Sequence, residues 1–236
     1  MKPWLKQSFE LFTKSFILES NNRLIEAINM CPNQLGATQD RILDAAEELF
    51  VEMGYAATSL RAIAQLADVN IAATNYHFGS KEGLLAAVIN RHVEPVNSER
   101  LIRLSRLEDS KCSLTLRSLL EAFFYPLADT LPNSKLPAVM GRMLSEPESL
   151  TRPIMAEQFG EVSKRFQTAL ERVVPGLAKD ELNWRFHLMI GSMIHLLKFP
   201  NPVMSEQPPV AFKDAIEHLI TFATAGLSQE QEFLND

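Results

Sequence analysis

Between Val69 and Lys81 the chain reads VNIAATNYHFGSK, a stretch without an acidic residue. Its side chains could bind nucleic acid. Asn70 and Asn75 carry amides suited to the hydrogen-bonding edge of adenine, and Ala72 and Ala73 allow close approach to a base and contact with a thymine methyl. Tyr76, His77 and Lys81 offer O–H, N–H and ammonium donors to phosphate oxygens, as do Thr58 and Ser59 just upstream. Taken singly, Asn70 or Asn75 reads as an ordinary solvent-facing amide. The signal lies in the whole set at helical spacing, with small residues where a helix would sit deep in a groove ~12 Å wide.

Such a face needs a scaffold, and the surrounding sequence predicts one. Thr38 reads as the cap of a helix with Asp40 in its first turn. Ile42, Ala45, Ala46, Leu49, Phe50 and Met53 line one side, and Gly54 ends it. A second, short helix starts at Thr58 with Leu60, Ile63, Ala64 and Ala67 inward. The turn Ala67 to Val69 leads to a third helix over about 70–77, and Ser80 caps a fourth. Two short helices joined by a tight turn, with small Ala64 at their crossing, form a helix-turn-helix. Asp68 stands where such turns usually carry Gly, and Asp tolerates the left-handed backbone better than most residues.

Charge is consistent with this reading only locally. The 236-residue chain has 23 Lys+Arg against 29 Asp+Glu, a formal charge of -6, so bulk basicity does not announce a nucleic-acid partner. Residues 38–97 carry Lys or Arg at 41, 61, 81 and 91 and acids at 40, 44, 47, 48, 52, 68, 82 and 94. Most of that acid lies on the first helix, segregated from the third. A hydrophobic fraction of 46% and a charged fraction of 22% indicate a soluble globular protein. The two cysteines, Cys31 and Cys112, lack CxxC spacing and read as packing thiols in a reducing compartment. No apolar run reaches the ~18–20 residues of a membrane span, and the start lacks the continuous apolar core of a signal peptide. The expectation is therefore a cytoplasmic protein without membrane attachment.

Proline placement divides the chain. None occurs between Pro32 and Pro95, whereas several cluster over 126–153 and 200–209. Alternating strand patterns are absent and helical periodicity recurs, so the fold class is all-α. Residues 1–36 are an N-terminal extension, with Leu5, Phe9, Phe12 and Phe16 at amphipathic spacing. Whether it docks or is dispensable stays open, and the internal Met30 offers a later start. Residues 37–95 form the helix-turn-helix domain and 96–236 a larger helical domain. In the latter, one helix carries Leu116 to Leu127 and is stopped or kinked at Pro126. Others span about 150–174, 180–198 and 209–227.

That larger domain is rich in Met and aromatic residues. Phe123, Met140, Met143, Phe159, Phe166, Trp184, His187 and Met193 are candidate walls of an apolar ligand pocket, each also readable as plain core. His187 and His195 lie eight apart with no third ligand at metal spacing, so neither a metal nor a cofactor is expected. No GxG, HExxH or GxSxG occurs, which leaves an enzyme without any fingerprint. An alternative keeps the helix-turn-helix as a protein-interaction module without DNA.

The stretch TQDRILDAAEELFVEMGYAATSLRAIAQLADVNIAATNYHFGSKEGLLAAVI resembles the DNA-binding domain of TetR-type transcriptional regulators. Its hallmarks are AAEELFVEMGYAATS and the YHFGSKEGLL junction. The resemblance implies a homodimer on a DNA operator, usually a repressor released by a small ligand held in the C-terminal domain. By position, Thr58, Tyr76, His77 and Lys81 match phosphate-contacting places, Asn70, Ala72, Ala73 and Asn75 match base-facing ones, and Thr74 points inward. The helices over 180–198 and 209–227 match the dimerising pair. VNIAATNYHFGSK and EQFGEVSKRF…WRFHLMIGSMIHLL are also similar to the branch with fatty-acid-responsive repressors. That suggests a fatty acid or acyl derivative as effector class.

Overall fold

The computed structural model describes residues 32–110, 113–130, 134–202 and 208–229. The helical pattern of Leu5 to Phe16 and both cysteines lie outside them. Among the described residues there are nine α-helices and no strand: α1 Pro32–Met53, α2 Leu60–Leu66, α3 Ile71–Phe78, α4 Lys81–Asp109, α5 Leu116–Thr130, α6 Leu136–Met143, α7 Glu148–Val173, α8 Lys179–Lys198 and α9 Phe212–Ser228.

The first helix begins six residues before the expected cap. Pro32 suits a first helical turn, where its missing N–H is not needed. Thr38 therefore lies inside α1 rather than at its start. Ile42, Leu43, Ala45, Ala46 and Phe50 are buried, while Met53, expected inward, is 42% exposed. Gly54, at φ 85°, closes the helix in the left-handed conformation.

The helix-turn-helix follows. Ser59 caps α2, its side chain accepting from Ala62 N–H at 3.1 Å. Asp68 takes φ 52°, the left-handed turn position usually left to glycine. Asn70 caps α3, its Oδ1 accepting from Ala72 N–H at 2.9 Å. Ser80 caps α4 in the same way through Gly83 N–H. All three caps are set by side chains two or three residues from their partners, which is why they are readable locally.

Two glycines shape the α3–α4 junction. Gly79 has φ 70° and ψ -58°, and Ser80 N–H donates to Phe78 O at 2.7 Å across it. That geometry is a γ-turn of the form that disfavours a Cβ. A Cβ on Gly83 would stand 2.3 Å from Phe78 O, so only glycine lets α4 begin this close to the end of α3.

Pro95 does not end α4, which runs unbroken for 29 residues out of the helix-turn-helix unit into the larger one. An internal proline costs ~3 kcal/mol. Here it sits on the exposed side, while Val93, Val96, Arg100 and Leu104 are buried on the other. Burial of side chains of this size, worth ~1.5–3 kcal/mol each, outweighs it. Pro126 also lies inside α5, which continues to Thr130, but it is itself buried, as are Phe123, Phe124 and Leu127. The short helix α6 has no counterpart in the sequence reading. One hydrophobic cluster, from Ile42 to Leu227, joins all of these elements.

Candidate nucleic-acid interface and effector cavity

The outer side of α3 presents Ile71, Ala72, Asn75 and Tyr76 to solvent, with Tyr76 81% exposed. Thr74 is 1% exposed and faces the core, where its hydroxyl has no partner among the described residues. Ala73 and His77 are half-buried on the flanks, His77 edge-on to Tyr76. The surface is thus small and neutral at its centre with an aromatic hydroxyl at one end. Asn70 stands exposed at the helix start. Its carbonyl oxygen serves as the cap, and its NH2 end is free to contact a base.

Thr58 is placed differently from expectation. It is 2% exposed, and its hydroxyl faces Gly54 O at 2.7 Å and Leu49 O at 3.1 Å. A phosphate cannot reach it there; it secures the α1–α2 loop to the end of α1. Ser59 is exposed and, beyond its capping role, keeps its O–H for an outside acceptor. Arg61, in the first turn of α2, is also exposed.

Lys81 has a double setting. Its Nζ donates to Tyr55 O at 2.8 Å and Thr58 O at 2.9 Å, and lies 4.0 Å from the centre of the Tyr55 ring. Of an ammonium's three donors, two hold the loop before α2 and one is left over. Tyr55 O–H in turn donates to the Glu82 carboxylate, which that bond holds below the usual range. The loop that orients α2 is therefore strapped to the first turn of α4.

A second layer ties this unit to the larger domain. Glu47, 4% exposed on α1, receives His92 Nε2 from α4 at 2.7 Å and Lys135 Nζ at 3.0 Å. Burial raises the Glu47 pKa, but the hydrogen bonds and charges of Lys135 and His92 outweigh it and hold the carboxyl below its ordinary value. Tyr55 N–H donates to Glu146 just past α6 at 3.0 Å.

The larger domain holds a cavity of about 220 Å³ between α4, α5, α6, α7 and α8. Of the pocket candidates, Phe123, Met140, Phe159 and Met193 line it, together with Met155. Phe166 stands behind the wall, edge-on to Phe123 with centroids 5.0 Å apart. Met143 is buried between α6 and the helix-turn-helix unit, beside Phe50 and Val88. Trp184 and His187 are not wall residues; both are exposed on the outside of α8. Trp184 precedes the wall residue Met193 by nine positions, about two and a half helical turns, which puts them on opposite sides.

Sequence reasoning missed Arg100, a wall residue only 2% exposed. The signal was present: Val93, Val96, Arg100 and Leu104 form one helical stripe on which a single charge interrupts the apolar residues. Burial pushes its pKa down to about 9, which leaves it charged at neutral pH. No group of three or more potential metal ligands occurs among the described residues, nor is any of their helices long and apolar enough to cross a membrane.

Comparison with known proteins accounts for both parts. Residues 42–88 match the family described as bacterial regulatory proteins, tetR family, and residues 116–226 match the tetracyclin repressor-like C-terminal domain. The probable HTH-type transcriptional regulator YttP of Bacillus subtilis is 28% identical over 135 residues, 57% of this chain and 64% of that protein. The chain thus spans less than two thirds of that relative. The HTH-type transcriptional activator FasR of Mycolicibacterium smegmatis is 27% identical over 188 residues, 80% of this chain and 82% of its own length. NalD of Pseudomonas aeruginosa, described as the secondary repressor of the MexAB-OprM multidrug efflux pump, superposes with a TM-score of 0.59 at 25% identity, covering 80% and 94% of the two chains. With an exposed helix-turn-helix, a helical domain around a cavity, and family matches to each, the chain belongs to the TetR family of DNA-binding transcriptional regulators.

Proposed function

We propose that the protein is a homodimeric repressor that binds a palindromic operator and is released by a small, largely apolar effector. The observation that carries this reading is the pairing of an acid-free, exposed α3 with a largely apolar cavity in the larger domain, the two connected by helix α4. α3 would enter the major groove, with Asn75 and the NH2 of Asn70 at base edges and Ala72 at a thymine methyl. Tyr76, Ser59, Arg61 and the third N–H of Lys81 would meet the phosphates, with His77 at the margin. Effector release requires that the ligand bind the form of the dimer with poor operator spacing better than the DNA-bound form.

Dimerisation is supported by an unpartnered apolar face. Trp184 and Leu188 on α8 and Phe222 on α9 are 64%, 62% and 67% exposed, with Gly191 on the same side of α8 leaving room for close helix approach. A cytoplasmic location is part of the same proposal. Repression is favoured by the likeness to NalD, while FasR carries the name of an activator, so a reporter fused to the selected promoter decides the direction.

The test is selection of bound fragments from the organism's own DNA, followed by fluorescence anisotropy on the selected duplex and on random duplex. A dimer with clear preference for an inverted repeat is expected. Trp184→Glu combined with Phe222→Glu should give a monomer in sedimentation and weaken operator binding. Equal affinity for operator and random duplex sinks the proposal and leaves the helix-turn-helix as a protein-interaction module.

A further inference from the structure

Among the described residues, Arg100 is the one charged residue on a cavity wall otherwise formed by apolar side chains and Ser163. Its three protein partners are all neutral. Nε donates to Phe123 O at 2.7 Å, Nη1 to Asn97 Oδ1 at 3.2 Å and Nη2 to Met193 Sδ at 3.4 Å, and its Cζ lies 4.1 Å from the centre of the Phe123 ring. None of the ion pairs among the described residues includes it. A guanidinium has five N–H donors, so one on each terminal nitrogen has no acceptor among the described residues. Thioether sulfur is a weak acceptor, and burial of an uncompensated charge is costly. A side chain required only to brace α4 against α5 would not need a charge.

We propose that Arg100 anchors the acid group of the effector, which is a compact organic carboxylate with an apolar body. Two free N–H groups on the terminal nitrogens match the two oxygens of a carboxylate. The remaining wall, including Val96, Leu127, Val162 and Ile190, suits a hydrocarbon, and Ser163 adds one neutral polar group. A volume of about 220 Å³ lies below the ~300–1,000 Å³ of sites for drug-sized ligands, which selects small acids. The inference rests on the regulator reading for its biological meaning, while the site itself rests on the cavity.

Calorimetric titration of the full chain with hexanoate, octanoate, decanoate, 1-octanol and octylammonium tests it. At least one acid should bind, octanoate at least tenfold tighter than octanol, and octylammonium not at all. Arg100→Met should weaken the acid about ten- to a hundredfold, the range for hydrogen bonds to a charged group, and leave octanol unchanged. Arg100→Lys, which keeps the charge, should retain part of the preference and decides the matter even if the Met variant fails to fold. Equal binding of acid and alcohol, no binding of any of the three acids, or undiminished acid binding by a folded Met variant overturns the proposal. Operator preference measured without ligand separates the two readings. Acid binding without it keeps the site and removes the regulator, and operator preference without acid binding does the reverse.

Discussion

Replacing Gly83 with alanine adds one methyl group at the point where α4 starts against the end of α3. The new Cβ would lie 2.3 Å from Phe78 O, whereas ordinary contact begins at 3.4 Å, so one side must give by about an ångström. The obstacle is a backbone carbonyl that already accepts from Ser80 N–H, and it cannot swing aside like a side-chain tip. Forcing an extra methylene into such a site costs ~1–3 kcal/mol, or roughly 2–12 °C in melting temperature for a protein of this size. Relief by displacement of α3 would shift its base-facing side. With ~1–3 kcal/mol in each good base contact, operator affinity should fall about tenfold or more, and affinity for random duplex far less. Gly79→Ala is the control: its Cβ meets nothing, so only backbone strain at φ 70° applies. Urea denaturation and anisotropy on operator and random duplex measure both effects. Gly83→Ala within ~0.5 kcal/mol of the parent and with unchanged operator affinity would refute the close-approach argument.

Other consequences follow from individual contacts. Glu47, with its pKa lowered, stabilises the fold above the ordinary carboxylate value of 4.5, and this contribution is lost as pH falls through its lower folded value. Glu47→Gln should therefore cost ~1–2 kcal/mol near neutrality and little in strong acid; a pH-independent difference in urea midpoint contradicts the assignment. Thr74→Val removes a buried hydroxyl that has no partner among the described residues and should leave stability equal or higher; a loss above ~1 kcal/mol points to an acceptor for that hydroxyl. If Arg61 and Lys81 are the cations that meet phosphates in each protomer, four contacts give a salt slope of about -3.6, and Arg61→Gln should reduce its magnitude by about 1.8. A parent slope steeper than about -6 places further cations on the DNA.

Much of the DNA-facing unit could be read from the chain because its determinants are local. Ser59, Asn70 and Ser80 cap through partners two or three residues away, and the inward Thr74 is implied by the resemblance. The resemblance of TQDRILDAAEELF…LLAAVI added the family, which the matches over both domains then supported. Pro126, read as stopping or kinking its helix, does not stop α5, and Pro95, read as a segment boundary, lies inside α4, where burial on the side opposite Pro95 outweighs its cost.

By itself, the sequence determined the all-α class, the helix-turn-helix and the acid-free side of α3. Each depends on periodicity, capping and composition within a few turns. Only the tertiary structure decided that Thr58 turns inward, that Lys81 straps the loop at Tyr55 and Thr58, and that Trp184 stands outside while Arg100 stands in the cavity wall. Those outcomes depend on which distant helix covers a given side. A stripe of side chains carries the same pattern whether its neighbour is core, cavity or solvent.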